Sequence, residues 1–177
     1  MKKLFLLYFL LMFTLCGQDA KDVETKMDMF ASKTGVIIKF IDHSLPDLPL
    51  LYGSAETRIR KLISGGEEEY FYQISKEGQY DTKTASIAYE DLLEVIKALQ
   101  TLKIEAENDK AMNPDYLENK FITDDGFQVG YYVSRGKVTW YLKLEKYGSG
   151  SSVFIKDAST LTTAFHRAKD QIELEKL

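Results

Sequence analysis

The sequence predicts an α+β fold, an antiparallel sheet of roughly six to eight strands with two long helices on one of its faces. Three features of the 177 residues lead there. Runs rich in Val, Ile, Tyr and Phe are joined by glycine-containing pairs, Gly65-Gly66 and Arg135-Gly136, as hairpins require. Two longer segments carry apolar residues at helical spacing. The order strand, hairpin, strand, helix occurs twice, which suggests an internal duplication with halves 36–107 and 118–177 inside one domain spanning 17–177.

The elements follow in chain order. Val23, Met27, Phe30 and Ala31 take helical spacing within 21–33, with Gly35 as the C-cap. Val36 to Asp42 is β-branched and strand-like, and the two prolines after it mark a loop or an irregular edge. With Gly65-Gly66 as the turn, Ile63, Lys61 and Ile59 face Glu68, Tyr70 and Tyr72; on the other side Leu62, Arg60 and Arg58 face Glu69, Phe71 and Gln73. A strand near Thr82 to Ala88 leads into a helix striped by Leu92, Val95, Ile96, Leu99 and Leu102, and the polar stretch from Lys103 to Leu117 reads as the connection between halves.

In the second half Lys120-Phe121-Ile122 echoes Lys39-Phe40-Ile41. The hairpin around Arg135-Gly136 sets Val133 against Val138, Tyr131 against Trp140, Val129 against Leu142 and Phe127 against Leu144, an entirely apolar face. Tyr132, Thr139, Gly130, Tyr141, Gln128 and Lys143 form its polar face, so Tyr132 and Tyr141 are expected to be the more accessible. The strand at residues 151–156 then enters a helix with Asp157 as N-cap and Leu161, Phe165, Ala168 and Ile172 as its buried stripe. In element order the two halves are similar to tandem folds of the TATA-binding-protein kind. No motif of that family is present, so the likeness is one of architecture.

Composition narrows the function classes. With 45% hydrophobic residues the chain can bury a core and is too apolar to be disordered. A formal charge of −4, with basic residues mixed among Glu, argues against a nucleic-acid partner. One cysteine forms no internal disulfide, and two histidines leave little for a histidine-rich metal site.

Lys2 and Lys3 precede a run from Leu4 to Cys16 that is strongly apolar except at Thr14 and Cys16. As a helix it would span about 20 Å, short of the roughly 30 Å hydrocarbon core. A basic start before a short apolar stretch is the pattern of an export signal, here residues 1–16. The segment is similar to bacterial lipoprotein signals, in which a Cys directly after the apolar run is lipidated. It departs from them in having Phe13, Thr14 and Leu15 before Cys16 instead of small residues. The resemblance implies export to the periplasm or cell envelope, with a membrane contacted only through a lipid on Cys16.

No catalytic constellation emerges, and neither a cofactor nor a metal is expected. Asp42-His43-Ser44 has the residue types of a hydrolase triad, but neighbours on an extended chain point to alternate sides and no G-x-S-x-G elbow is present. Glu67-Glu68-Glu69 reads as a charged hairpin edge. Asp124-Asp125-Gly126 lacks the further oxygen ligands of a calcium loop and reads as a turn; His166 lies off the apolar stripe and is expected at the surface. The polar sheet face holds Arg58, Arg60, Phe71, Tyr132, Tyr141 and Lys143 if the hairpins lie side by side, with a cation–π contact between Arg60 and Phe71. Arg and aromatic side chains favour interaction surfaces. The expectation is therefore a non-catalytic exported binding module of the bacterial cell envelope that presents this face to an envelope protein or a glycan. The alternatives are a small hydrolase of envelope polymers using carboxylates brought together by folding, and a carrier of apolar ligands.

Overall fold

A computed structural model describes residues 24–146 and 150–177. The export segment and Cys16 lie outside the described residues, as does Val23. The chain runs α1 (Lys26–Ala31), β1 (Lys39–Pro49), β2 (Ser54–Ser64), β3 (Glu67–Glu77), β4 (Thr82–Ala88), α2 (Tyr89–Ala111), β5 (Leu117–Ile122), β6 (Gln128–Ser134), β7 (Lys137–Lys143), β8 (Ser152–Ile155) and α3 (Ala158–Glu175). Among the described residues no helix is long and apolar enough to cross a membrane.

The strands form two antiparallel sheets of four, in the orders β1-β2-β3-β4 and β5-β6-β7-β8, and not the one sheet that the sequence suggests. Each sheet is a meander of neighbouring strands. The 23 residues of α2 carry the chain roughly 34 Å from the end of β4, where β5 starts a new meander. Alternation along a strand reports which side is buried; it carries no information about which strand lies beyond an edge.

Both hairpin registers are as expected: Arg60 opposes Phe71 and Lys61 opposes Tyr70 in the first, and Tyr131 opposes Trp140 in the second. Their turns need left-handed backbone, which Gly65 and Gly66 supply at φ 61° and 89°. In the second turn Arg135 adopts φ 51° beside Gly136. β1 is an edge strand with a register shift between Leu45 and Leu48, so its prolines sit where a missing N–H costs least.

One continuous core joins the inner faces of both sheets to both long helices, with Ile59, Tyr72, Ile87, Leu92, Leu99, Tyr131, Trp140, Leu161 and Phe165 among its buried members. α2 packs on β3 and β4 of its own sheet and on β5, β6 and β7 of the other, while α3 packs on β8 and, across the core, on β1 and β2. The stripe Leu161, Phe165, Ala168 and Ile172 is fully buried, and Asp157 caps α3 by accepting from the Thr160 N–H.

Four local expectations are corrected. α1 is shorter than 21–33: Thr25 and Asp28 close its start as a capping box, Ser32 ends it, and Gly35 lies in the bend beyond. β1 begins at Lys39, not Val36. α2 continues through the polar stretch to Ala111, because Glu105 accepts from Asn119 Nδ2 and Asp109 from the Tyr131 hydroxyl, docking a polar helix face on β5 and β6. Finally, the tripeptide echo is out of phase. With the two turns aligned, Lys39 (paired with Ile63) matches Leu117 (paired with Val133), so Phe40 corresponds to Glu118 and not to Phe121. Phe40 faces outward and is half exposed, whereas Phe121 packs on the core.

Candidate interaction surface

Each sheet has an outer face directed away from the shared core, and the two are finished differently. On the first, α1 lies across β3 and β4 and sets Phe30 against Leu62, Phe71 and Ala88, with Met27 beside them. Asp125 Oδ2 accepts from the Lys26 N–H at 3.1 Å, and the Lys26 ammonium pairs with Asp91, so the helix is tied at its start to the β5–β6 loop and to α2. Phe71 is consequently buried at 1% exposure and offers nothing to a partner.

Arg60 does not stack on Phe71. It makes a two-pronged contact with Asp42, Nε to Oδ1 and Nη2 to Oδ2 both at 2.7 Å, and its guanidinium lies over Phe40 at 5.8 Å. The Arg60 hydrogen bond holds the Asp42 carboxyl below the ordinary carboxylate range. Arg58 donates to Gln73 at 2.7 Å and approaches Asp42 at 3.6 Å. Both arginines are thus engaged within the first sheet, and the structure does not bring them onto one face with Tyr132, Tyr141 and Lys143, which belong to the second.

The outer face of the second sheet has no helix over it among the described residues. Tyr132 on β6 stacks on Tyr116 at 6.2 Å and 23°, and meets Phe154 on β8 edge-on at 6.5 Å. Tyr116 is 62% and Phe154 38% exposed, and Tyr132 is half-buried. Tyr141, opposite Phe154, is only 7% exposed, which corrects its expected accessibility. Its hydroxyl donates to Glu118 Oε1, and burial together with that carboxylate pushes the phenol upward. Gly130 keeps β5 close: a Cβ there would stand 2.5 Å from the Asn119 carbonyl oxygen and 2.9 Å from Lys120 Cα. Lys120, Lys137 and Lys143 share this face, and Lys143 pairs across to Ser152.

No family model, curated protein or solved structure matches this chain. The likeness to TATA-binding-protein folds accordingly stays one of element order.

Sequence reasoning missed Tyr116 and Phe154. Phe154 was accessible to it, since alternation along β8 puts Phe154 on the side opposite the buried Val153 and Ile155. Tyr116 sits in the short connection after Asn113, which adopts φ 48°, and no period marks it.

The remaining candidates are engaged structurally. A cleft of about 340 Å³ between α1, β4 and the ends of β5 and β7 is lined by Asp28, Asp125 and Glu145 among others. Asp28 bonds Thr25, Asp125 accepts from the Lys26 N–H, and Glu145 pairs with Lys83 at 3.0 Å. Burial pushes the Asp125 carboxyl upward. His43 lies 3.8 Å from Glu175 of α3, apart from any relay with Asp42, which faces Arg60. Glu67 and Glu68 pair with Lys33 and Lys61. Asp124-Asp125-Gly126 is a turn, with Gly126 at φ 89°. His166 is half-buried, lining a small groove between α2 and α3 with Ile96, Leu99 and Ile104. Among the described residues no group of three or more His, Cys, Asp or Glu is placed to hold a metal ion.

Proposed function

We propose that this chain is an exported, non-catalytic binding module of the bacterial cell envelope that holds a protein or glycan partner on the outer face of its second sheet. The supporting observation is the aromatic run Tyr116, Tyr132 and Phe154, which stays accessible while the corresponding face of the first sheet is closed by α1. Rigid aromatic rings bury area with little loss of side-chain entropy, and Tyr141 on the same face is pinned by Glu118. The basic n-region and apolar run before Cys16 support export, and a lipid on Cys16 would tether the module to a membrane.

Replacing Tyr132 and Phe154 together by Ala should weaken capture of partners from envelope extracts, or of glycans on an array, by about 30-fold, the equivalent of a ~2 kcal/mol hot spot. Equal capture by the wild type and the double variant, both folded in a thermal melt, refutes the reading. Mass spectrometry of the protein from its native host should show loss of at least the first 15 residues, and Cys16→Ser, which removes the lipidated thiol, should move the protein from the membrane fraction to a soluble one. Full-length chain in the cytoplasm refutes export.

A further inference from the structure

The first sheet contains a template for what the second lacks. With the turns aligned, Leu62 corresponds to Tyr132, Phe71 to Tyr141 and, through their strand partners, Ala88 to Phe154. Leu62, Phe71 and Ala88 are the residues on which Phe30 of α1 sits. Gln73 and Ser86, under Met27 in the first sheet, correspond to Lys143 and Ser152. The aromatic patch is therefore the counterpart of a helix seat.

Beside their turns the two seats are opposite in charge. Lys26 of α1 pairs with Asp91 of α2, and Lys33, just after α1, pairs with Glu67 at 2.5 Å, with Glu69 and Glu90 bordering the same hollow beside Phe30. Aligned by the strand registers, Glu67 is replaced by Lys137 and Asp42 by Lys120, and Lys156 directly follows β8. Lys137, Lys143 and Lys156 have no ion-pair partner among the described residues, and Glu118 is taken by Tyr141 and Lys120. A second copy of α1 and the residues just after it would set Lys33 against Lys137 there.

We propose that the outer face of the second sheet is a seat for a short amphipathic helix of a partner protein, with Met or aromatic anchors spaced as Met27 and Phe30 are and with carboxylates where the segment 25–33 carries Lys26 and Lys33. This rests on the reading of the face as the binding surface and names its ligand class. Burial of the anchors over Tyr132 and Phe154 supplies the attraction, and the lysines select an acidic helix over a basic one.

The test uses two helix-stabilised peptides built on residues 25–33, one with the native Lys26 and Lys33 and one with Glu at both, titrated into the protein while NMR follows the Tyr132 and Phe154 ring signals. The Glu peptide should bind at least tenfold more tightly and shift those signals. Lys137→Glu combined with Lys156→Glu, both exposed positions, should reverse the preference without changing the melting temperature. Equal binding of the two peptides, or a preference that survives the charge reversal, overturns the proposal. If the Tyr132 and Phe154 double variant loses a glycan on the array while neither peptide shifts those signals, the face binds but its ligand is not a helix, and this inference alone falls. If neither glycan nor extract capture depends on Tyr132 and Phe154, the underlying reading falls with it.

Discussion

Emptying the seat of α1 tests how the first sheet is closed. Phe30 is 7% exposed, and its ring covers Leu62, Phe71 and Ala88. Truncating a buried Phe to Ala costs about 3–5 kcal/mol, the transfer of the ring plus the cavity left behind. Two features of this site limit the loss to the lower end. Only a single helix separates the ring from solvent, so the hollow can partly collapse or fill with water. In addition, α1 has six residues and cannot hold a helix by itself, so once its docking energy is removed it lets go and no further loss accrues. Phe30→Ala should therefore cost about 3 kcal/mol. Trp140, the one tryptophan, lies in the shared core and not in the cluster around Phe30, and reports global unfolding by fluorescence. A urea titration should show a lower midpoint with a slightly smaller slope, because the released α1 already exposes its surface before unfolding, and amide exchange should speed up over residues 26–31. A loss below about 1 kcal/mol with exchange unchanged would mean that the first sheet is closed without α1. The contrast between the two sheets would then have no basis.

Two further predictions concern the frame of the surface. Trp140→Ala should cost about 3–5 kcal/mol, because the indole is buried against Tyr131 at 5.0 Å; a loss below 1 kcal/mol in the same titration would reverse the assigned faces of the second hairpin. Asp42 has a depressed carboxyl in the folded state, so its contact with Arg60 stabilises the fold above the unfolded Asp value of about 3.9, and the gain is lost as pH falls through the lower folded value. At neutral pH Asp42→Asn should cost about 0.5–1 kcal/mol, a figure reduced for solvent exposure, and the two stability curves should meet in acid. A deficit that persists unchanged below that range would show that the loss comes from something other than the charge.

The sequence by itself determined the strands apart from the bounds of β1, both hairpin registers and the buried stripes of α2 and α3. These depend on alternation of two or on helical spacing, and a turn such as Gly65-Gly66 sets the partners of the residues beside it. It also singled out Tyr132 and Lys143, on the face that remains open. What a strand's second side meets is a different matter. Phe71 and Tyr141 occupy matching positions on polar-looking faces; one is sealed by a helix whose start is held 99 residues away at Asp125, and the other is buried with its hydroxyl held by Glu118 of β5. The division into two sheets and the docking of α2's polar end through Glu105 and Asp109 are of the same kind. Local periodicity states which residues prefer to be buried. Only the packing of distant elements decides which of them are, because the free energy of covering a face resides in contacts between segments that share no neighbourhood in the chain.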